Sequence, residues 1–192
     1  KRVGMEADDK TMICGMVARM TEQKGFKLLL ECWEELKKRP VKLIILASGD
    51  KELQELWESL AREDYDRLYL NTSFNEELAH KIQAGVDLFL MPSSFEPCGL
   101  SQMYSLKYGT PPLAHRTGGL ADTIIDSSDL QTGFLFEPYH CPAFLRTLDR
   151  AYQAFLNKDE WIHIQKSGMS MDFSWKKAAQ NYIKMYQDLM RF

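Results

Sequence analysis

The chain has 192 residues, of which 45% are hydrophobic and 11% aromatic, and its formal net charge is −3. This composition suffices for one packed domain, or for one and a half, and the even mixture of charges argues against a nucleic-acid-binding stripe. The apolar runs have the length of strands and the amino terminus lacks the pattern of a signal peptide, so we expect no membrane segment.

Four cysteines are spread along the chain, at Cys14, Cys32, Cys98 and Cys141. Their spacing matches no zinc motif, and scattered free thiols are typical of a reducing cytosol. We therefore expect free thiols and a cytoplasmic location. For Cys98 we expect mainly a packing role, because no histidine is close in sequence to activate its thiol.

Strand-like and helix-like segments alternate from Met12 to Asp126, which is typical of βαβ units. The apolar runs predict strands over residues 12–18, 41–47, 67–70, 86–91 and 112–115. The segments between them predict helices over residues 26–38, 52–62, 75–84 and 100–108, and a short helix from Leu120. This order predicts an α/β fold with a Rossmann-like, doubly wound parallel sheet.

The carboxyl-terminal part has a different pattern, because from Pro142 onward only helices are predicted, over residues 142–156, 159–168 and 175–190. We expect residues 1–192 to form a single Rossmann-like domain in which residues 142–192 are a helical tail. Such a tail packs back on the sheet or reaches toward another domain. Residues 1–5 look like the end of a helix that starts earlier, so we expect a fragment of a longer protein.

The most informative segment is the loop of residues 92–102, which joins a buried strand to a helix. Glu96 is expected near the carboxyl end of that strand, where open parallel sheets bind their ligands. Pro97 biases Glu96 away from the helical region, and Gly99 permits a ligand to approach the main chain closely. Free amides at the start of the helix attract anions. The loop therefore predicts a carboxylate and a phosphate site side by side.

Three further loops follow strands at the same edge of the sheet. Arg19 and Lys24 place two cations in the first, where a guanidinium fork and an ammonium group can grip a diphosphate. Each of them, taken alone, is more often solvated surface. Asp50, in the second loop, is favoured as a helix cap over a ligand contact. Gly118 and Gly119 open a helix in the third, with a tight turn as the alternative interpretation.

One aromatic residue and the histidines complete the candidate residues. Phe74 follows a short strand, where its ring can stack on a nucleobase, although from the residues alone packing in the core is slightly favoured. No loop has the Walker or the dinucleotide pattern, which argues against a P-loop NTPase and an NAD dehydrogenase. We expect structural or exposed positions for all four histidines, His80, His115, His140 and His163.

Taken in chain order, five motifs resemble bacterial glycogen synthase and plant starch synthase. They cover almost the whole chain and comprise Arg19 with Gln23-Lys24-Gly25, Phe95 to Leu100, Lys107 to Thr110, Arg116 to Asp122, and Met171 to Trp175. The resemblance implies the carboxyl-terminal, nucleotide-sugar-binding half of a two-domain glycosyltransferase-B fold. It also implies retaining transfer of glucose from ADP-glucose to the non-reducing end of an α-1,4-glucan.

The family's motifs imply roles for the residues of two loops. Arg19 and Lys24 would hold the diphosphate and stabilise the charge that develops as ADP leaves. Glu96 would bond the glucose hydroxyls, and an orienting role fits the family better than that of a covalent nucleophile. The main-chain amides around Gly99 and Leu100 would bind a phosphate.

The resemblance also implies contacts to the nucleoside. Phe74 stands where the family often has a tyrosine stacked on adenine, which raises a base contact above core packing. Tyr104 lies on the next helix, from which it would reach the ribose. The remaining implied substrate contacts lie beside these groups and are Cys98, Ser101, Thr117, Gly118 and Gly119.

The resemblance implies no metal cofactor, because two cations and a helix terminus would supply the positive charge. The implied partners are ADP-glucose or ADP, the glucan acceptor, and an amino-terminal domain with a Lys-x-Gly-Gly-Leu loop and a histidine. Neither has a counterpart here, since Gly118-Gly119-Leu120 follows Thr117. We expect the chain by itself to bind ADP weakly and to transfer no glucose. The implied location is the cytoplasm, or a plastid in a plant.

Two alternatives stay open. A related retaining transferase, such as a sucrose- or trehalose-making enzyme, would share the diphosphate loops. Those relatives usually have a second glutamate eight positions after the first, where this chain has Tyr104. A non-catalytic nucleotide-binding module is disfavoured by the complete set of Arg19, Lys24 and Glu96.

Overall fold

A computed structural model describes residues 5–127 and 130–190 of the chain. Of the helix end predicted over residues 1–5, residues 1–4 lie outside that part, and Met5 is not helical. Within the described residues, no helix combines the length and the apolar character needed to cross a membrane.

Six parallel strands form one sheet, with bounds β1 (Met12–Met20), β2 (Val41–Gly49), β3 (Leu68–Asn71), β4 (Leu88–Met91), β5 (Pro112–His115) and β6 (Phe134–Phe136). Their order is β3-β2-β1-β4-β5-β6, so the chain runs outward from β1, returns to the middle at β4, and runs outward again. The strand order reverses between β1 and β4, as in a doubly wound sheet. The predicted fold class is confirmed.

The helices follow the strands in alternation, after a 3-10 turn at Glu22–Lys24. They are α1 (Phe26–Leu36), α2 (Lys51–Glu63), α3 (Glu76–Gly85), α4 (Ser101–Tyr108), α5 (Gly118–Thr123), α6 (Cys141–Leu156), α7 (Lys158–Ser170) and α8 (Trp175–Leu189). Every predicted element lies within two residues of an observed one. β6 was missed, because three residues are too few for a periodic pattern to appear and only its pairing with β5 defines it.

The sheet is covered on both faces, which explains why its strands read as continuous apolar runs. On one face α1, α2, α6 and α7 pack through aromatic residues such as Phe26, Trp33 and Trp57. On the other face Ile82 of α3 and Leu120 of α5 close the core. Both central strands are therefore held rigidly beneath the loops that follow them.

Two aspartate side chains form hydrogen bonds to main-chain amides, one at the start of a helix and one between two strands. Asp50 Oδ1 accepts a hydrogen bond from the Leu53 amide at 3.0 Å, which confirms its predicted role as a helix cap. Asp87 Oδ2 accepts from the Ile13 amide at 2.7 Å and ties β4 to β1, while burial raises the pKa of this carboxyl. The two strands at the reversal point are thus joined at the end opposite to the loops.

The carboxyl-terminal helices divide into two groups. α6 packs against β5 and β6, and α7 packs against α4 and α6, so this part of the tail lies on the domain. α8 contributes no buried residue, and Trp175 at its start is 88% exposed. That the tail reaches another domain stays a prediction.

Candidate active site

A cleft of about 380 Å³ lies at the carboxyl ends of β1 and β4, where the strand order reverses. Ligands of doubly wound folds bind at this point, because the loops on either side diverge and leave a crevice. The cleft is lined by six of the predicted site residues, Arg19, Lys24, Glu96, Gly99, Leu100 and Ser101. The structure brings these side chains and amides together, and their roles remain predictions.

The centre of the cleft is an ion pair between Lys24 and Glu96. Lys24 Nζ donates to Glu96 Oε2 at 2.5 Å, and the two side chains are 20% and 10% exposed. Ser93 Oγ lies 3.4 Å from the same oxygen. His115 Nδ1 lies 3.0 Å from the Ser93 carbonyl oxygen and helps to hold that residue in place. Lys24 and Ser93 therefore hold the carboxylate. His115 acts through Ser93, in agreement with the structural role expected for this histidine, whereas Ser93 was not identified from the sequence.

Hydrogen bonds to main-chain carbonyl oxygens hold the Lys24 loop against the Glu96 loop. Gln23 Nε2 donates to the Phe95 carbonyl at 3.0 Å, and the Ser94 amide donates to the Gln23 carbonyl at 2.9 Å. Gly25 has a φ of 87°, and a Cβ there would lie 2.0 Å from the carbonyl oxygen of Pro92. Only glycine fits this position, so the two loops can approach closely enough for the ion pair to form.

The glycine pair supports the Glu96 loop from its other side. The Gly119 amide donates to the Glu96 carbonyl at 3.0 Å. A Cβ at Gly119 would lie 2.3 Å from the Cys98 carbonyl oxygen, and one at Gly118 would lie 2.2 Å from that of Glu96. Gly118 and Gly119 therefore act on the main chain behind Glu96, and neither residue lines the cleft.

Gln102 is a buried residue that the sequence did not single out. Its Nε2 atom lies 3.0 Å from the carbonyl oxygens of Cys98 and Gly99 and 3.1 Å from Thr123 Oγ1. In a trans peptide the N–H points opposite to the C=O, so the Gly99 and Leu100 amides point away from Gln102.

These amides have the geometry of an anion site. Gly99 is left-handed, with a φ of 77°, and Leu100 is right-handed, with a φ of −114°. When two successive residues have backbone conformations of opposite hand, their N–H groups point toward a common position where an anion can bind. Helix α4 begins directly after these two residues. In the part of the chain that the structure describes, the amides of Gly99, Leu100 and Ser101 donate to no protein acceptor.

Arg19 links the cleft to a second pocket of about 410 Å³. It is exposed, it lines both pockets, and its guanidinium has no acceptor within residues 5–127 and 130–190. The second pocket is also lined by Phe74, whose side chain is 92% exposed. Core packing of Phe74, which the residues alone slightly favoured, is therefore wrong, because the ring stands beyond the end of β3 with no core beneath it.

The other predicted residues lie beside the two pockets. Cys98 is exposed, as is Pro97 before it, so the packing role expected for Cys98 is wrong because its side chain lies at the surface. Tyr104 is 49% exposed on α4, and Thr117 precedes α5 without capping it. Neither residue lines the cleft or the Phe74 pocket, so contacts of these side chains with a ligand remain predictions.

Residues 2–160 match the family model of glycosyl transferases group 1. A glycogen synthase of Nitrosospira multiformis is 43% identical over 99% of this chain, and glycogen synthase 1 of Methylococcus capsulatus is 40% identical over 99%. The chain spans 40% of the length of each of these relatives.

Solved structures agree with these matches. The catalytic domain of starch synthase IV from Arabidopsis thaliana, bound to ADP and acarbose, superposes with a TM-score of 0.88 at 31% identity. That match covers 97% of this chain and 40% of the other. A sucrose-phosphate synthase from Thermosynechococcus elongatus shares the fold, with a TM-score of 0.72 at 22% identity over 96% of this chain and 47% of the other.

The sheet is accordingly one Rossmann-like half of a glycosyltransferase-B fold, with its cleft at the point where the strand order reverses. The described fold, the family match and the 31% identical starch synthase structure agree on this assignment. The chain belongs to the group 1 glycosyl transferases.

Proposed function

We propose that this chain is the ADP-glucose-binding half of a retaining glucosyltransferase of the glycogen and starch synthase type. The enzyme would transfer glucose from ADP-glucose to the non-reducing end of an α-1,4-glucan. The observation that carries the proposal is the convergence of Arg19, Lys24 and Glu96 in one cleft at the strand reversal. The relatives named glycogen synthase and the ADP-bound starch synthase support this choice of substrate.

The proposed chemistry follows from the charges in the cleft. Arg19 and Lys24 neutralise the diphosphate as the glucose–phosphate bond breaks, which stabilises the transition state more than the ground state. The amides of Gly99 and Leu100 add dipoles aimed at a phosphate. Glu96 accepts hydrogen bonds from the glucose hydroxyls. Its contacts with Lys24 and Ser93 favour an orienting role over that of a covalent nucleophile.

The nucleoside would occupy the pocket beside the cleft. Arg19 lines both the cleft and the Phe74 pocket. A diphosphate bound to Arg19 would therefore place its sugar in the cleft and its nucleoside in the Phe74 pocket. The Phe74 ring would stack on adenine, and Tyr104 would lie toward the ribose. Cys98, Ser101, Thr117, Gly118 and Gly119 would support the sugar and phosphate contacts.

Calorimetric titration of the chain with ADP, ADP-glucose and UDP tests the binding part of the proposal. We expect ADP and ADP-glucose to bind at micromolar to millimolar concentration and UDP to bind more weakly. Circular dichroism establishes that the same sample is folded. A folded chain that binds none of the three nucleotides at millimolar concentration would overturn the proposal.

Glucose transfer tests the catalytic part. We expect no incorporation of labelled glucose into glycogen by the chain alone. We expect transfer when it is joined to an amino-terminal domain like that of its relatives. In that joined enzyme Lys24→Ala should lower turnover by about 10²- to 10³-fold, since one stabilising charge at a transition state contributes that much. Lys27→Ala, an exposed lysine on the neighbouring helix, is the matched control. Full turnover of the Lys24 variant would contradict the leaving-group role.

We propose further that the reaction uses no metal cofactor and takes place in the cytoplasm, or in a plastid in a plant. Two cations and a helix start give the cleft its positive charge, which supports the first statement. The absence of disulfides among Cys14, Cys32, Cys98 and Cys141 supports the second. Turnover unchanged by EDTA and cell fractionation are the respective tests.

A further inference from the structure

The ion pair in the cleft places two proposed ligand groups in direct contact with each other. Lys24 Nζ, the proposed diphosphate ligand, lies 2.5 Å from Glu96 Oε2, the proposed sugar ligand. Among the described residues, Lys24 is the only charged partner of Glu96 within ion-pair distance. The carboxylate therefore partly neutralises the ammonium charge that a phosphate oxygen would otherwise meet in full.

The two loops that carry these groups are fastened to each other. Their loops are joined by the hydrogen bonds of Gln23 and Ser94, and Gly25 lets them pack main chain against main chain. Behind Glu96, the Gly119 amide holds the carbonyl of the same residue. A diphosphate that contacts Lys24 consequently lies close to the Glu96 carboxylate.

The charge balance differs between two kinds of ligand. A bare nucleoside diphosphate brings only negative charge. The Glu96 carboxylate weakens the attraction between Lys24 and this diphosphate, and it also repels the diphosphate directly. A sugar attached to the diphosphate brings hydroxyl groups that donate to the carboxylate. Hydrogen bonds between a neutral donor and a charged acceptor are among the stronger ones in proteins.

We propose that Glu96 determines specificity by disfavouring the bare nucleoside diphosphate, through its pairing with Lys24, relative to the diphosphate that carries a sugar. This inference rests on the proposed function and adds a second role to Glu96. One carboxylate both holds the donor sugar and weakens the binding of the leaving product. The site then releases the diphosphate once the sugar has been transferred.

Titration of ADP and ADP-glucose against Glu96→Gln tests the inference, because this change keeps the shape of the side chain and removes its charge. We expect the variant to bind ADP about three- to tenfold more tightly than the wild-type chain, the size of a moderate charge–charge effect. The ratio of ADP-glucose to ADP affinity should fall by at least the same factor. The gain in ADP affinity should shrink as salt is raised.

Glu22→Gln is the matched control, because it removes one negative charge from the same loop. Its carboxylate pairs with Lys27 and lies 71% exposed, so we expect ADP affinity to stay unchanged. A Lys24→Met background completes a double-mutant cycle. There Glu96→Gln should lose most of its gain, since the carboxylate no longer has an ammonium charge to neutralise.

The outcomes separate this inference from the proposed function. A wild-type chain that binds ADP, together with a Glu96→Gln variant that binds it no more tightly, overturns the inference and leaves the proposed function standing. An equal gain in the Lys24→Met background also overturns it, because Lys24 would then play no part. A folded wild-type chain that binds no ADP removes the proposed function and, with it, the inference.

Discussion

The cleft at Glu96 and the pocket at Phe74 are neighbours that share Arg19, but the chain builds them in different ways. The cleft is assembled from loops that pack main chain against main chain, with glycines at the contact points. The Phe74 pocket has an aromatic ring that is 92% exposed. One side of the site is held together by contacts within the protein, and the other presents an aromatic ring with almost no protein packed against it.

The difference concerns how binding energy is used. A preorganised group loses little conformational freedom on binding, and its charges act at full strength at the moment of reaction. An exposed ring must be ordered by its ligand, so part of the stacking energy is spent on that ordering. We expect the cleft to determine the chemistry and the Phe74 side to add affinity for the base.

Gly25→Ala should disturb the cleft side most. The new Cβ would meet the Pro92 carbonyl in a left-handed conformation, so we expect a loss of at least about 3 kcal/mol of unfolding free energy. For a chain of this size that lowers the melting temperature by roughly 6–12 °C. Gly85→Ala, where an added Cβ meets nothing within 4 Å, is the control. Equal melting temperatures for the two variants would contradict this account of the loop contact.

Gln102→Leu should separate stability from ligand binding on the cleft side. We expect about 1–3 kcal/mol of lost stability, because the part-buried carbonyl oxygens of Cys98 and Gly99 lose their donor. ADP affinity should also fall, by about tenfold, as the Gly99 and Leu100 amides lose their direction.

The control is Gln165→Leu, which removes a glutamine bond to the Gly109 carbonyl, 2.8 Å long, at the other end of α4. We expect a similar loss of stability from it, measured by urea denaturation, with ADP affinity unchanged. If Gln102→Leu also left ADP affinity intact, Gln102 would have a structural role only.

Phe74→Ala should have the smallest effect on the fold, with stability unchanged within about 0.5 kcal/mol, because the ring covers no core. ADP affinity should fall by about three- to tenfold, the usual contribution of an aromatic contact. Binding of inorganic pyrophosphate, which has no base, should not change. Tyr65→Ala removes another exposed ring, outside both pockets, and serves as the control. An equal loss for pyrophosphate would contradict base stacking.

Much of this architecture was predictable, because each element carries its own periodic signal. The alternation of apolar runs and amphipathic helices predicted the elements up to α8 within two residues, apart from β6. The meeting of Arg19, Lys24 and Glu96 was predictable too. Parallel strands place their carboxyl ends at one edge, so loops far apart in sequence come together there.

The contacts that make the cleft specific were not predictable in the same way. Lys24 and Glu96 are 72 residues apart, and nothing in either loop indicates that the two side chains touch. In the sequence, Gln102 looks like an ordinary helical residue. In the structure its side-chain amide binds the Cys98 and Gly99 carbonyls and so fixes the orientation of the peptide groups beside the cleft. Phe74 reads as a core residue next to a strand, and only the position of β3 at the sheet edge exposes it.

The sequence by itself determined the fold class, the order of the elements and the set of charged residues at the carboxyl edge. Local propensity and periodicity are properties of neighbouring residues, so they can be read along the chain. Only the tertiary structure decided that Lys24 pairs with Glu96, that glycines join the two loops and that Phe74 stands free. These features depend on atoms brought within a few ångströms by strand order and packing, which no local pattern contains.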